Sequence, residues 1–391
     1  MRPLGLFSLL CLGVNAIVGS SIFLFPGKLA ELLGPASAAS FALTGLLLAG
    51  VALCFAELGR GYDAHGGPYL YARDAFGPAV GFGIGWTCWV AEILSCAAVA
   101  DGIGVYAGLP VKATAAAAIL AMGALNYKGV RPGAWTSNAL TVAKLVPLLL
   151  LVGVGLPHAR FAAPAHGWAP LGRACFLAYF AFSGFECVPV PAGESGDARR
   201  HVPIAVLGSL ALSTTLYCLI QAVYVGSVSS YSDKPLLDLS SILLGSTSFI
   251  TLGAAVSMLG FVAGCTLSGP RYLMALGLHG DMPAAAGRAR PAIVLSTVLS
   301  LACAMLLDFD KLVDIGVIVI CAQYLATCAA AIKLRGRWLI GLWGGAATLW
   351  LGAQGGKSET LAAVAVTAAG FLLRAFFHRM RAWKRTGIQP A

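Results

Sequence analysis

The chain has 391 residues, of which 59% are hydrophobic and only 11% charged, with a mean hydropathy of +0.84. Soluble domains carry roughly a quarter charged residues, so this composition excludes most soluble classes and makes lipid the expected solvent. The net charge of +10 is not read as a nucleic-acid signal, because the basic residues sit in short loops between apolar runs. Unbroken apolar runs also exclude a transmembrane β-barrel, whose strands alternate polar and apolar over about ten residues.

In chain order, apolar runs fall at about 4–25, 37–56, 79–106, 111–127, 135–156, 174–193, 203–226, 247–277, 291–307, 312–332, 337–352 and 359–377. A spanning helix needs about 20 residues, so the expectation is an all-α integral membrane protein of about twelve spans in a single domain. The first run leads directly into a glycine-bearing segment and shows no signal-peptide cleavage site. Lys and Arg number 18 at the termini and in even-numbered loops against 7 in odd-numbered loops. Both termini are therefore expected to be cytoplasmic. Lys144 belongs to neither group, because it falls inside span 5. The 11 cysteines lie in or beside apolar stretches without CxxC or Cys/His ligand spacing. They read as small packing residues, with no disulfide, metal or cofactor expected.

Two spans are interrupted alike. Span 1 carries Gly19-Ser20-Ser21 at its middle; span 6 carries Ser183-Gly184, then Pro189 and Pro191. Glycine and proline disfavour helix, and non-helical backbone at membrane depth survives only inside protein or along a cavity. Paired breaks in two halves point to a transporter site. Their separation by five spans suggests two five-helix repeats of opposite orientation, about 4–156 and 174–332, with accessory helices at about 337–377.

Four stretches then carry a resemblance: IVGSSIFLFPG at 17–27, FAELGRGYDAHGGPYLYARDAFGPAVGFGIGW at 55–86, FAFSGFECVPVPAGESGDARRHVPIA at 180–205 and SGPRYLMALGLHGDMP at 268–283. In this order and spacing the chain resembles the amino acid–polyamine–organocation permeases over essentially its whole length. The resemblance implies a LeuT-like inverted-repeat fold with broken helices 1 and 6. It also implies alternating access and amino acids or related amines as substrates. Two positions depart from the family pattern. Ser21 stands where the first break commonly has a second glycine, and Pro270-Arg271 replaces a Ser-Arg pair in span 8.

A broken helix offers partners to both ends of a zwitterion. The N-terminus of a half-helix suits a carboxylate, and the free carbonyls ending the preceding half suit an ammonium. The amides and hydroxyls of Ser20 and Ser21, beside Gly19, are therefore assigned to the carboxylate. Carbonyls of Ile17 and Val18, and of Phe180, Ala181 and Ser183 beside Gly184, are assigned to the ammonium. The resemblance implies the same positions, makes Phe180 an aromatic gate over the substrate, and places Thr87, Cys88, Ala91 and Cys265 along the pocket.

Three ionisable residues lie at membrane depth, where a charge is costly and defaults to function. By resemblance, the Lys144 ammonium takes the place that sodium holds in relatives of the same fold. It is either a proton carrier or a static staple between spans 1, 5 and 8. Glu92 follows the pocket residues of span 3 and either pairs with a cationic substrate or carries a proton. Glu186 holds the unwound backbone of span 6 or senses protons. Glu57, Arg73 and Arg271, near helix ends, are candidates for an inner charge network.

The expectation is a sodium-independent, proton-coupled amino acid transporter of the cytoplasmic membrane. Its alternative is an amino acid or amine exchanger that takes cationic amino acids or polyamines. A channel would need a filter or a continuous polar path. A membrane enzyme would need a catalytic grouping, and the histidines (His65, His158, His166, His201, His279, His378) stay in loops or near helix ends. Amino acid, protons and bilayer are the expected partners; the oligomeric state is left open.

Overall fold

The structure is a computed structural model that describes residues 5–62, 66–128, 134–161, 167–190, 192 and 195–386, with side chains omitted at 134–137, 140 and 381–386. Arg2, His65, Arg131, His166 and Pro191 lie outside the described residues. The chain forms α1 (Leu6–Ile17), α2 (Ser21–Leu33), α3 (Ala38–Gly59), α4 (Pro68–Phe76), α5 (Pro78–Ala107), α6 (Val111–Tyr127), α7 (Ala134–Gly155) and α8 (Leu171–Phe182). It continues through α9 (Ala198–Ser227), α10 (Pro235–Leu244), α11 (Ser248–Leu278), α12 (Ala289–Leu306), α13 (Phe309–Arg335), α14 (Trp338–Gly352) and α15 (Lys357–Thr386).

Among the described residues eight helices are long and apolar enough to cross a bilayer, and α1 with α2, bent by 47° at their break, makes a ninth. The other three apolar runs are the shorter helices α6, α14 and α8, of 17, 15 and 12 residues. Two connections carry helices that the search for apolar runs passes over, α4 and α10. Both start at a proline, which suits the first turn because the missing N–H has no intrahelical partner there.

Position in the bundle follows from which helices have an apolar surface left for lipid. In α5, 83% of the apolar stretch is buried, against 11% in α15. A helix that is apolar all round belongs at the centre, and α5 packs there against α11 and α13. Helix α15 lies on the rim, held to α5 by Trp86 Nε1 donating to the Val366 carbonyl at 2.9 Å.

Both interruptions are real breaks. Val18 leaves the helical region at the end of α1 and α2 restarts at Ser21. In span 6 the helix ends at Phe182, Ser183 is extended, and Gly184 has φ +136°, a conformation that a side chain disfavours. A Cβ at Gly184 would also collide with the backbone of Ala16 and Ile17. Glycine is thus required twice over, and its absence of side chain lets the two breaks meet backbone to backbone. Between Gly184 and Val190 the chain does not resume an α-helix. It makes one 3-10 turn, Phe185–Cys187, and further turns through Val190. Pro189 lies in this stretch, and proline removes an N–H that a helix would need.

Candidate functional site

The two breaks meet at the centre of the candidate site. At the first, Gly19 lies under the ring of Phe261 from α11, and an added Cβ would sit 3.1 Å from that ring. On the other side, Gly102 of α5 leaves room for Ser20. The N-terminus of α2 has no side-chain cap. Ser20 and Ser21 are buried, and the Ser20 hydroxyl has no hydrogen-bond partner among the described residues. An orphaned buried hydroxyl costs about 1–3 kcal/mol. Together these leave polar groups and a positive helix end at the place assigned to a carboxylate.

The carbonyls behave differently from the sequence expectation. The Ile17 carbonyl already accepts from Gly19 N–H at 2.8 Å and from the Tyr217 hydroxyl at 3.0 Å. The Val18 carbonyl accepts from Lys144 Nζ at 2.6 Å and Ser257 Oγ at 3.0 Å. A carbonyl oxygen offers two lone pairs, so a substrate ammonium would have to displace an internal donor at either. Phe180 is in the same position, because its carbonyl accepts both N–H and Oγ–H of Ser183, at 3.2 and 2.8 Å. Ala181 and Ser183 remain beside it, both buried.

Lys144, 1% exposed, also donates to the Asn15 carbonyl at 2.9 Å. The ammonium therefore caps the negative end of α1, where a cation is favoured. Its helix, α7, is thereby tied to α1, and Ser257 ties α11 to the same carbonyl. At the second break, Glu186 accepts from Gly184 N–H and from the Tyr324 hydroxyl, each at 2.7 Å. That bond pair fixes the turn at Gly184 and attaches it to α13.

The α5 residues expected along the pocket separate into two kinds. Thr87 spends its hydroxyl on the Ile84 carbonyl at 2.9 Å, and Cys88 and Ala91 are buried beside it. Glu92 is half-buried and opens onto a narrow crevice between α5, α11 and α12, lined by Cys265, Thr266, Gly269, Ser296 and Ser300. Cys187, in the turn after the second break, directs its thiol at the Glu92 carboxylate over 3.7 Å. Among the described residues no ion pair involves Glu92.

Phe180 is 4% exposed and packs on Phe25, with ring centroids 6.2 Å apart; Phe25 in turn meets Phe309 at 6.1 Å. Above this layer Lys28 lies over Phe309 and pairs with Asp310, and Arg173 pairs with Asp314 at 2.8 Å. Both broken spans are thus latched to the start of α13 at the Phe180 end. Toward the other end, Glu57 pairs with Arg60 at 3.3 Å and Arg337 at 3.0 Å, while Arg73 lies beside Tyr69.

Several participants escaped the sequence reading. Tyr217, Ser257 and Phe261 carry no signal beyond being polar or aromatic in an apolar run. Asp101 did carry one, as an acid at membrane depth. Its carboxylate, 1% exposed, pairs with Lys112 at 2.9 Å, and Lys112 also reaches the Leu307 carbonyl at 2.6 Å.

Comparison with known proteins agrees with this architecture. The family described as Amino acid permease matches residues 4–378. The serine/threonine exchanger SteT of Bacillus subtilis is 26% identical over 370 residues, 86% of this chain and 84% of its own. The branched-chain amino acid permease BcaP of the same organism is 27% identical over 262 residues, 58% of this chain and 55% of its own. The vacuolar cationic amino acid transporter 2 of Arabidopsis thaliana is 28% identical over 321 residues, 72% of this chain and 50% of its own. The match thus spans only about half the length of the last two relatives. With the family match running nearly end to end over a bundle whose two helix breaks meet, the chain belongs to the amino acid permease family.

Proposed function

We propose that the protein is a secondary active transporter that moves amino acids across the cytoplasmic membrane by alternating access, independently of sodium and coupled to protons. The observation that carries this reading is the meeting of the two breaks. It sets an uncapped half-helix N-terminus with an orphaned Ser20 hydroxyl beside the turn at Gly184. Such a site suits a carboxylate on one side. On the other side, the carbonyls of Ala181 and Ser183 stand as ammonium acceptors, joined by those of Ile17, Val18 and Phe180 once an internal donor yields. The reading includes the two inverted five-helix repeats and cytoplasmic termini.

Lys144 supports the sodium independence. Its ammonium occupies the Asn15 and Val18 carbonyls. A second cation about 4 Å away would be repelled by about 4 kcal/mol at an effective dielectric of 20. Loss of the Lys144 proton removes the charge that holds α1 to α7, which gives a route from proton release to movement at the first break. Phe180, under the Lys28–Asp310 and Arg173–Asp314 latches, acts as the gate in this scheme.

A second reading, exchange of cationic amino acids or polyamines, is favoured by one observation. Glu92 presents a carboxylate to a crevice without a basic partner among the described residues. The likeness to a cationic amino acid transporter points the same way. Counterflow in proteoliposomes with a panel of neutral and cationic amino acids and amines tests both. Uptake of neutral amino acids supports the first reading, uptake of cationic substrates alone supports the second, and no counterflow with any member overturns both.

A further inference from the structure

Helix α15 is longer than a bilayer requires. Its 30 residues extend about 45 Å at 1.5 Å per residue, whereas the hydrocarbon core is about 30 Å thick. The apolar crossing segment is Lys357–Met380, and the helix continues past it to Thr386. No acidic residue follows Glu359, while Arg374, Arg379, Arg381, Lys384 and Arg385 all do. The apolar side chains before this cluster already face outward, with Leu372 72% and Phe376 56% exposed. Trp383, seven positions after Phe376, falls among the basic residues. A tryptophan beside basic residues is the composition of a membrane–water interface.

Several basic residues elsewhere in the fold have internal partners. Arg60 and Arg337 share Glu57, Arg290 lies over Tyr127, and Lys333 over Phe76. Within α15, Arg374 is taken by Asp281 at 2.8 Å and covers Phe82; His378 lies 3.8 Å from the same carboxylate. Arg379 is exposed, and with Arg381, Lys384 and Arg385 it makes four cations within seven residues of one helix. Charge complementarity at this depth selects the phosphate of an anionic headgroup.

We infer that the end of α15, along which the sequence sets Arg379, Arg381, Lys384 and Arg385 about Trp383, is a docking surface for anionic phospholipid headgroups. Binding there bears on the site through a rigid connection. Trp86 donates to the Val366 carbonyl, Phe371 packs on Phe82 with centroids 5.5 Å apart, and Arg374 covers the same ring. These residues of α5 directly precede Thr87–Glu92. Headgroups held by α15 therefore steady the helix that lines the crevice.

The test uses the purified full-length protein in a neutral detergent, with thermal unfolding followed as phosphatidylglycerol or phosphatidylcholine is added. A basic residue near a charged surface contributes roughly a fivefold preference, so four should favour phosphatidylglycerol by at least about tenfold in half-saturating concentration. In 1 M NaCl, where the Debye length is about 3 Å, that preference should vanish. The variant combining Arg379→Gln, Arg381→Gln, Lys384→Gln and Arg385→Gln should unfold at the wild-type temperature without lipid and respond equally to both lipids. An equal response of the wild type to both lipids, a preference that survives 1 M NaCl, or a preference retained by the variant overturns the inference. If the variant does not fold, the headgroup comparison and the salt series on the wild type decide.

Discussion

Gly19 is a closely packed position in the proposed site, and its substitution can be worked through from the contacts. A Cβ there would lie 3.1, 3.4 and 3.6 Å from Cδ2, Cε2 and Cγ of Phe261. Gly19→Ala therefore asks the ring to yield by a few tenths of an ångström, and the expected loss of substrate affinity is at most about fivefold, under about 1 kcal/mol. Gly19→Val adds two γ-methyl groups at the same place and forces either Phe261 or the break to move. Overpacking of that kind costs about 1–3 kcal/mol, which converts to a loss of about 5- to 150-fold when the strain falls on the binding-competent break. Trimming the obstacle should return part of the loss, so Gly19→Val with Phe261→Leu should bind more tightly than Gly19→Val alone. The assay is radioligand binding to detergent-solubilised protein, with thermal unfolding beside it to separate binding from folding. Wild-type affinity in Gly19→Val would refute the placement of the site at the first break. A double variant no better than Gly19→Val would refute Phe261 as the cause.

Three other expectations follow from the same geometry. Uptake should continue when choline replaces sodium, and Lys144→Ala should lose accumulation driven by an acid-outside gradient while keeping substrate exchange; a strict sodium requirement, or a gradient response in Lys144→Ala, contradicts the role given to Lys144. Glu92→Gln should change the pH dependence for every substrate alike if Glu92 carries a proton, and should weaken only cationic substrates if it pairs with them; an unchanged substrate range and pH profile would remove it from the site. Glu186→Ala leaves both Gly184 N–H and the Tyr324 hydroxyl without their acceptor, so it should destabilise by about 2–6 kcal/mol at 1–3 kcal/mol per orphaned group, against about 1–3 for Tyr324→Phe, read as unfolding free energies in detergent; equal stabilities of wild type and Glu186→Ala would show that the carboxylate does not hold the break.

Features governed by adjacent residues were legible before any coordinates. An apolar run long enough to cross a bilayer is a local property, and the runs at 37–56, 79–106 and 291–307 reappear as α3, α5 and α12 within a few residues. The breaks were legible for the same reason, since Gly19-Ser20-Ser21 and Ser183-Gly184 interrupt their own helices. Lys144 and Glu92 stood out because an ionisable group in such a run is costly wherever the helix points. Span 6 shows the limit of that reasoning, because hydropathy alone carried the run to 193, whereas Pro189 lies where the helix fails to resume.

What fills each bond at the site depends on helix rotation and packing, which an all-round apolar helix does not encode. Helices α5 and α11 have no polar face from which to read an orientation. Nothing near Ile17 in the chain indicates that Tyr217, 200 residues later, will donate to its carbonyl. The same holds for Ser257 and Val18, 239 residues apart. The backbone chemistry of a broken helix could thus be assigned from its own residues, but how much acceptor capacity it keeps was decided by side chains from α7, α9 and α11. In lipid, a bare carbonyl finds no water to bond, so the tertiary fold supplied donors to Ile17 and Val18 and left the Ser20 hydroxyl without one.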